Sequence, residues 1–311
     1  MSGARDRLEY LVARALEAAF SALPPRAGEA VGVAASRAVR AAGVRAGVVR
    51  SQIAAAFPGR DAAWVEGTAS ACYRHFGREA AALARMSRLD PARLVAGARG
   101  VESLREALAG AGSPGGGRVI VTGHLGNWEL AGALLAGLGL PVLAVVKPQA
   151  NRRFDRRLEG LRRRLGIETV TMARAGHRIP EALAGGAVVA LVADQDAGSR
   201  GVFVPFLGRP ASTFRGPAYL SLRTGAPLMF GFVVREGEGY RAEIEEVAKP
   251  GAPDADGAPD ADAAEAELTR RWVGRLEAAV RRWPGQYFWF HRRWKTRPPG
   301  ARRADGAPGE R

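Results

Sequence analysis

Apolar residues recur at helical spacing through residues 1–110, and this stretch lacks strand-like runs. From about residue 117 the pattern changes to short runs rich in β-branched residues, separated by helical segments at 130–138, 154–165 and 177–183. The runs are "RVIVT", "PVLAVV", "IETVTM" and "AVVALVA". Strands that alternate with helices predict an α/β fold, with a central, mostly parallel sheet flanked by helices and an N-terminal helical region before it.

Two later runs change the predicted sheet from purely parallel to mixed. The segments "PLMFGFVV" and "GYRAEIEEV" are joined by "REGEG", which is typical of a hairpin turn and predicts an antiparallel edge. A further helix is predicted from about 265 to 282. We therefore expect a helical region over 1–110 and an α/β domain over 111–297. That domain contains a low-complexity loop at 250–263, and a disordered tail follows at 298–311.

The first predicted helix, residues 4–23, is amphipathic. Leu8, Leu11, Val12 and Leu16 fall on one face, whereas most of its charged residues lie elsewhere on the wheel. Two interpretations stay open for this helix: its apolar face packs on the protein's own core, or it lies flat in a membrane interface. Arg14 and Glu17 in mid-segment argue against both a secretory signal and a membrane span.

Composition places the chain among folded proteins, since 47% of its residues are hydrophobic and 25% are charged. The formal charge of +15 predicts an attraction to nucleic acid, anionic lipid or acidic proteins, and charge alone does not choose among them. The single cysteine, Cys72, excludes an internal disulfide bond.

The segment "VTGHLGNWELAG", residues 121–132, carries polar and titratable groups where a strand should end and a helix begin. Ligands of open α/β sheets bind at this edge, so His124 stands where chemistry is usually found. With His124 on the loop, Glu129 could hold the imidazole in one tautomer for general-base catalysis. No "GxSxG" motif supplies a nucleophile, which leaves the hydroxyl to a substrate. The spacing alone fits a structural histidine as well.

Four segments in order resemble one enzyme family. "HLGNWEL" resembles the H-x4-E/D motif of glycerolipid-type acyltransferases, in the form found in the lipid A late acyltransferases, the lauroyl and myristoyl acyltransferase family. Three further blocks are similar to those of the same family and extend the resemblance over about residues 115–300. They are "VKPQANRRFDRRLEGLRRRLGI", "LVADQDAGSRGVFVPFLGRPASTFRGPAYLSLRTGAPL" and "PGQYFWFHRRWKTRPPG".

The resemblance implies transfer of a fatty acyl chain from acyl carrier protein, or acyl-CoA, to a hydroxyl of a lipid A precursor or related membrane glycolipid. It implies a peripheral or weakly anchored location at the cytoplasmic face of the bacterial inner membrane, on an anionic lipid surface. His124 would act as the general base with Glu129 in support, and the hydroxyl would attack directly without an acyl-enzyme. No cofactor, metal or nucleic acid is expected, and an acidic carrier protein suits the +15 charge.

The resembling blocks contribute further candidate residues. Asp194 and Asp196 follow a strand and would contact His124 or the acceptor, the alternative being a turn and helix cap. Arg162 or Arg164, or amides near Asn127, would stabilise the oxyanion, although a solvated basic helix also fits the arginines. Arg292 or Arg293 would meet an acidic group or lipid phosphate. The candidate set beyond His124 and Glu129 is Asn127, Arg162, Arg164, Asp194, Asp196, Arg292 and Arg293.

Other functions remain open from the sequence. Related enzymes acylate other phospho- or glycolipids, such as phosphoinositide mannosides, with a similar histidine motif. A different class, a non-catalytic basic protein that binds membranes, also fits the charge. Thioester hydrolysis is a third candidate reaction.

Overall fold

The computed structural model describes residues 2–249 and 261–300. Most of the predicted loop at 250–263 and of the predicted tail at 298–311 lies outside the described residues. The first third of the chain is helical: α1 (Ser2–Ala22), α2 (Pro25–Ala41), α3 (Ala46–Ala56), α4 (Ala62–Ala84), α5 (Pro91–Gly97) and α6 (Val101–Ala107).

Strands and helices then alternate, as the sequence predicted. The strands are β1 (Arg118–Thr122), β2 (Val142–Val146), β3 (Ile167–Thr171), β4 (Val188–Val192), β5 (Val202–Phe206), β6 (Arg209–Thr213), β7 (Leu228–Glu236) and β8 (Gly239–Ala248). The accompanying helices are α7 (Trp128–Gly137), α8 (Arg152–Arg164), α9 (Ala175–Ala184), α10 (Gly216–Thr224) and α11 (Ala261–Arg282).

Six strands form the main sheet in the order β3-β2-β4-β1-β7-β8. All neighbouring pairs are parallel except β7 and β8, which form the predicted antiparallel edge hairpin. The mostly parallel mixed α/β fold is thereby confirmed. Because β1 lies between β4 and β7, the loops that follow β1 and β4 emerge side by side at one edge of the sheet.

A second, two-stranded sheet formed by β5 and β6 was not predicted. Each strand is only five residues long and contains a proline, Pro205 in β5 and Pro210 in β6. Proline removes a backbone donor and weakens a strand signal in sequence, which is why the pattern gave no indication of this hairpin.

Apolar cores cover both faces of the main sheet. Val119 and Val121 of β1 join a core formed with α3, α4, α9, α10 and α11, whereas Ile120 joins a core formed with α6, α7 and α8. Alternate residues of a strand point to opposite faces, so a strand covered on both sides reads as continuously apolar. Helices α3, α4 and α6 of the region before residue 110 thus share a core with the sheet.

Helix α1 packs with its polar side toward the protein. The Asn151 amide donates to the Asp6 carbonyl over 2.8 Å, and Arg157 Nη2 donates to Glu17 Oε2 over 2.9 Å. The opposite face exposes Leu8, Leu11, Val12 and Leu16. Among the described helices, α1 included, no segment is both long and apolar enough to cross a bilayer.

Candidate active site

The loop of residues 123–127 joins β1 to α7 and carries His124. Both of its glycines are closely packed, Gly126 against backbone and Gly123 against side chains. Gly126 has φ +64°, and a Cβ there would lie 2.0 Å from the Val233 carbonyl oxygen. A Cβ on Gly123 would lie 2.7 Å from a methyl carbon of Leu276 and 3.1 Å from Asp194 Oδ2. The loop is therefore held tightly against β7 and against the end of β4.

Asp194, two residues after β4 ends, holds His124 from two sides. Its Oδ1 lies 2.6 Å from His124 Nδ1, and its Oδ2 accepts from the His124 backbone N–H over 2.9 Å. Because a carboxylate only accepts, Nδ1 carries the proton and Nε2 of the neutral ring is left with a lone pair. The imidazole is thus oriented by one carboxylate and can take a proton at Nε2.

Asp194 is fully buried. Burial alone would raise its pKa, but the charge and hydrogen bonds of His124, together with His291, lower that pKa well below the usual range. The phenol of Tyr287 is also close, and burial followed by the Asp194 charge raises the Tyr287 pKa well above its ordinary value. Asp194 therefore remains a carboxylate at neutral pH and favours a positive charge on His124.

Glu129 does not make the contact that the sequence predicted. It lies in the first turn of α7, where its carboxylate accepts from Arg162 Nε over 2.9 Å and pairs with Arg162 Nη2. The carboxylate that hydrogen-bonds to the imidazole is Asp194, which reaches it from the neighbouring strand. Sequence spacing favoured Glu129 because it is near His124 in the chain, whereas the contact between Asp194 and His124 predicted from the strand end and the resembling block is the one that the structure shows.

Asn127 is directed into the protein. Its Oδ1 caps α7 by accepting from the Leu130 N–H, and its Nδ2 donates to Glu79 Oε2 over 2.6 Å. The backbone N–H groups of Gly126 and Asn127 donate to the carbonyls of Gln286 and Val233. The amides of Gly126 and Asn127, two of those expected to stabilise an oxyanion, are therefore already engaged within the fold.

The other arginine and aspartate candidates lie apart from the imidazole. Arg164 is exposed and its Nη2 donates to the Met86 carbonyl over 3.3 Å. Asp196 accepts from both the N–H and the hydroxyl of Thr296. These contacts fasten α8 to the helical region and the segment after α11 to the loop after β4.

Arg293 is fully buried, so it does not face solvent or lipid. Its guanidinium donates to the Ser212 carbonyl and to Thr213 Oγ1, each over 2.6 Å, and lies over the Phe206 ring. Arg292 is half-buried beside it. The predicted contact between Arg293 and a lipid phosphate is therefore replaced by contacts within the small sheet.

Several residues beside the imidazole were missed by sequence reasoning. Gln195 Nε2 lies 3.4 Å from His124 Nε2. The Trp128 and Phe288 rings lie 4.7 Å and 5.9 Å from the imidazole, centroid to centroid. The available signals were the position of Gln195 between two aspartates and the aromatic run "QYFWFHRRW".

A narrow apolar cavity of about 100 Å³ runs between α7 and the sheet. Apolar side chains of α7, β1, β2, β4 and β7 line most of it. Trp128, which contacts the imidazole, forms part of its wall, and the Glu129–Arg162 pair supplies charged groups to the lining. Within residues 2–249 and 261–300, no set of three His, Cys, Asp or Glu side chains is placed to hold a metal ion.

A second buried polar cluster lies on the far side of the His124 loop. Glu79 accepts from Asn127 Nδ2, from Arg235 Nε over 2.9 Å and from the Tyr240 hydroxyl over 2.9 Å. His75 Nε2 lies 3.2 Å from the Gly126 carbonyl oxygen. We call Glu79, Arg235, Tyr240 and Asn127 the Glu79 cluster, and it fixes the start of α7 to α4 and β7.

Comparisons with known proteins point to one enzyme family. The family model described as bacterial lipid A biosynthesis acyltransferase matches residues 5–296. The chain is 31% identical over 189 residues to lipid A biosynthesis palmitoleoyltransferase of Escherichia coli, covering 59% of this chain and 58% of that protein. It is 32% identical over 190 residues to the lauroyltransferase of E. coli, with coverages of 59% and 58%.

A relative named for a different acceptor matches at similar identity. The phosphatidylinositol mannoside acyltransferase of Mycobacterium tuberculosis is 33% identical over 153 residues, which are 47% of this chain and 46% of that protein. The alignments thus span about half to three fifths of the length of these relatives.

Proposed function

Because the chain belongs to the bacterial lipid A biosynthesis acyltransferase family, we propose that it transfers a fatty acyl chain to a hydroxyl of a lipid A precursor or related membrane glycolipid. The donor is the thioester of acyl carrier protein, or acyl-CoA. The observation that carries this proposal is the His124–Asp194 pair, oriented at the edge of the sheet beside an apolar cavity.

The reaction follows from the orientation of the ring. His124 Nε2 takes the proton of the acceptor hydroxyl as that oxygen attacks the thioester carbonyl, while Asp194 stabilises the imidazolium. A tetrahedral oxyanion forms and then collapses with cleavage of the C–S bond. The imidazolium returns its proton to the leaving thiolate, which gives an ester and a free thiol without an acyl-enzyme.

Part of the donor's hydrocarbon chain enters the cavity between α7 and the sheet, whose lining is mostly apolar. Burial of apolar surface contributes about 25 cal/mol per Å², so the part of the chain inside the cavity is held mainly by this lining. Arg162, held by Glu129 at the cavity, contacts the donor or acceptor head in this proposal. Arg164 and Arg292 stay predictions for substrate contact, and Asn127, Asp196 and Arg293 hold the surrounding segments.

A peripheral location at the cytoplasmic face of the inner membrane belongs to the same proposal. The side chains of Leu8 and Leu16 are on the outward face of α1, where these residues are 64% and 52% exposed, and exposed arginines of α8 lie beside that helix. An apolar stripe next to basic residues is suited to an anionic lipid surface. Replacing both leucines with Gln should weaken co-sedimentation with phosphatidylglycerol vesicles, whereas Met172→Gln, a change at an equally exposed site, should not.

The proposal has two forms, which differ in the lipid that accepts the acyl chain. A lipid A precursor is favoured by the family model, and a phosphatidylinositol mannoside is favoured by the name of the M. tuberculosis relative. We therefore offer each acceptor in vesicles with radiolabelled lauroyl–acyl carrier protein and measure label in the extracted glycolipid. Donor preference follows from the same assay with lauroyl-CoA.

The deciding variant is His124→Ala, with His177→Ala as the matched control because His177 is exposed on α9. We expect His124→Ala to lower transfer about 10³-fold with an unchanged unfolding midpoint, and His177→Ala to retain activity. Label that appears only as free fatty acid with both acceptors would mean thioester hydrolysis. Salt-sensitive vesicle binding with no turnover would mean a non-catalytic membrane-binding protein.

A further inference from the structure

Gln195 is the side chain whose polar atom contacts the catalytic nitrogen of His124. Its Nε2 lies 3.4 Å from His124 Nε2. Since Nδ1 of the ring donates to Asp194, the Nε2 lone pair faces an amide that can only donate at its nitrogen. The acceptor hydroxyl must approach the same lone pair, so Gln195 lies within reach of the reacting atoms.

The backbone around Gln195 is held on both sides. Asp194 is fully buried and bonded to His124, and Asp196 accepts from the N–H and hydroxyl of Thr296. Gln195 itself is half-buried. A carboxamide between two fixed neighbours is restricted to the space in front of the imidazole, and this limits the reorganisation needed when charge develops there.

Other donors near the loop are already used. The His124 N–H donates to Asp194 Oδ2, and the N–H groups of Gly126 and Asn127 donate to main-chain carbonyls. The Arg162 guanidinium is bound through two nitrogens by Glu129. These three loop amides and two nitrogens of Arg162 are therefore engaged within the fold, which favours a side-chain donor beside His124 for the oxyanion.

We propose that Gln195 is a catalytic residue whose carboxamide N–H donates to the thioester carbonyl oxygen as that oxygen becomes the tetrahedral oxyanion. The attacking oxygen and the oxyanion are bonded to one carbon, so a donor beside His124 Nε2 is also beside the oxyanion. When the acceptor hydroxyl displaces the amide from the imidazole, the N–H turns to the carbonyl oxygen. This inference rests on the proposed acyl transfer.

The test replaces the amide without changing its length. Gln195→Met removes the donor at similar volume, and Gln195→Glu puts an acceptor in its place. Removal of one oxyanion donor costs roughly 10²- to 10³-fold in kcat, and we expect a loss of this size in both variants, with KM for lauroyl–acyl carrier protein within about threefold. Transfer of radiolabelled lauroyl chains to the vesicle-bound lipid A precursor, or to the mannoside if that is the acceptor found, gives both constants.

Gln149→Met is the matched control, since Gln149 is exposed before α8 and contacts the Lys147 carbonyl rather than the imidazole. It should keep the wild-type kcat, and all three variants should keep the wild-type unfolding midpoint. Circular dichroism gives the thermal unfolding midpoint of each variant. If Gln195→Met or Gln195→Glu unfolds at a lower temperature than wild type, its kcat is measured below that temperature, where the variant is still folded.

Three results would overturn the role of Gln195. A kcat within threefold of wild type in Gln195→Met would show that the donor is elsewhere, and a raised kcat would show that the amide obstructs Nε2. A rise in KM alone would also contradict it, since a transition-state contact acts on kcat. Failure of the proposed function looks different, because the wild-type chain itself would then transfer no label.

Discussion

Two buried carboxylates hold opposite sides of the His124 loop, and their partners differ. Asp194 binds an imidazole whose side chain keeps 19% of its surface exposed and whose second nitrogen faces the cleft. Glu79 binds Asn127, Arg235 and Tyr240, which are directed into the protein. A buried carboxylate is placed for the proposed chemistry where its partner keeps an exposed surface, as His124 does at Asp194. It serves as a structural anchor where its partners are buried in the fold, as at Glu79.

The electrostatics of the two regions follow the same division. Burial would lower the Arg235 pKa, but Tyr240, Glu79 and Glu29 raise it, so the cation is compensated inside the fold. At Asp194 the compensating charge is His124, which can gain or lose its proton during the reaction. One region keeps a fixed pair of charges, and in the other the partner of the carboxylate exchanges a proton in the proposed reaction.

The largest loss of activity is expected from Asp194→Asn, which changes the carboxylate that binds His124. The side chain keeps its shape but can no longer stabilise an imidazolium or enforce the tautomer, and we expect kcat to fall about 10³- to 10⁴-fold. Acyl transfer assays and circular dichroism measure activity and fold. A variant that is folded and retains a tenth of wild-type activity would contradict the role assigned to Asp194.

The second prediction concerns the anchoring region. Glu79→Ala leaves the Arg235 guanidinium buried without one of its carboxylates, and loss of one partner of a buried pair costs about 3–5 kcal/mol of unfolding free energy. Urea unfolding measures this loss. Glu66→Ala on the same helix is the control, because that residue pairs at the surface and should cost less than about 1 kcal/mol.

The third prediction is that acid lowers the free energy of unfolding through His291, which lies near Asp194, His124 and Arg293. Burial lowers its pKa from 6.5 to about 4, so the unfolded chain takes up a proton before the folded one does. This contribution to stability is present above pH 6.5 and is lost as pH falls toward 4, by about 2 kcal/mol between pH 7 and pH 5.

Urea unfolding of wild type and His291→Gln at both pH values measures that loss. The variant should lose less stability on acidification, while His177→Gln, changed at an exposed site, should behave as wild type. His75, whose pKa burial also lowers, contributes in the same direction and is common to all three proteins. Equal losses in wild type and His291→Gln would show that His291 is protonated as readily in the folded state.

The smallest expected effect separates Glu129 from Asp194. If Glu129 supported the imidazole, Glu129→Gln would lower activity as much as Asp194→Asn does. Since it binds Arg162 instead, we expect only the loss of one charged hydrogen bond, about 1–2 kcal/mol or roughly tenfold in kcat/KM. Glu181→Gln, on the exposed side of α9, is the control. A thousandfold loss in Glu129→Gln alone would return Glu129 to the role predicted from sequence.

Local patterns were sufficient for the elements of the main sheet and for the position of His124. Alternating apolar runs predicted β1 to β4, and "REGEG" predicted the turn between β7 and β8, because these signals lie within a few residues. The pairing of β1 with β4 is a long-range contact that no spacing encodes, and it determines that Asp194 meets His124.

The same limitation explains the other differences. Arg292 or Arg293 was expected to meet an acidic group or lipid phosphate, yet Arg293 binds the small sheet formed by β5 and β6, whose prolines weakened their strand signal. Asn127 was a correct helix start, but its second hydrogen bond goes to Glu79 on α4, far away in the chain. Residues close together in the chain predict the motif. Contacts with residues far away in the chain determine which side chains of the motif lie next to each other.

The contacts of residues 286–288 with the His124 loop have a consequence for the order of events during synthesis. The Gly126 N–H donates to the Gln286 carbonyl, Leu125 bridges to Tyr287, and the Phe288 N–H donates to the His124 carbonyl. These residues are translated after all eight strands. A ribosome-bound chain that has completed its sheet still lacks these contacts to the loop of the proposed general base, so the proposed acyltransfer site is completed only when the C-terminal segment has been added.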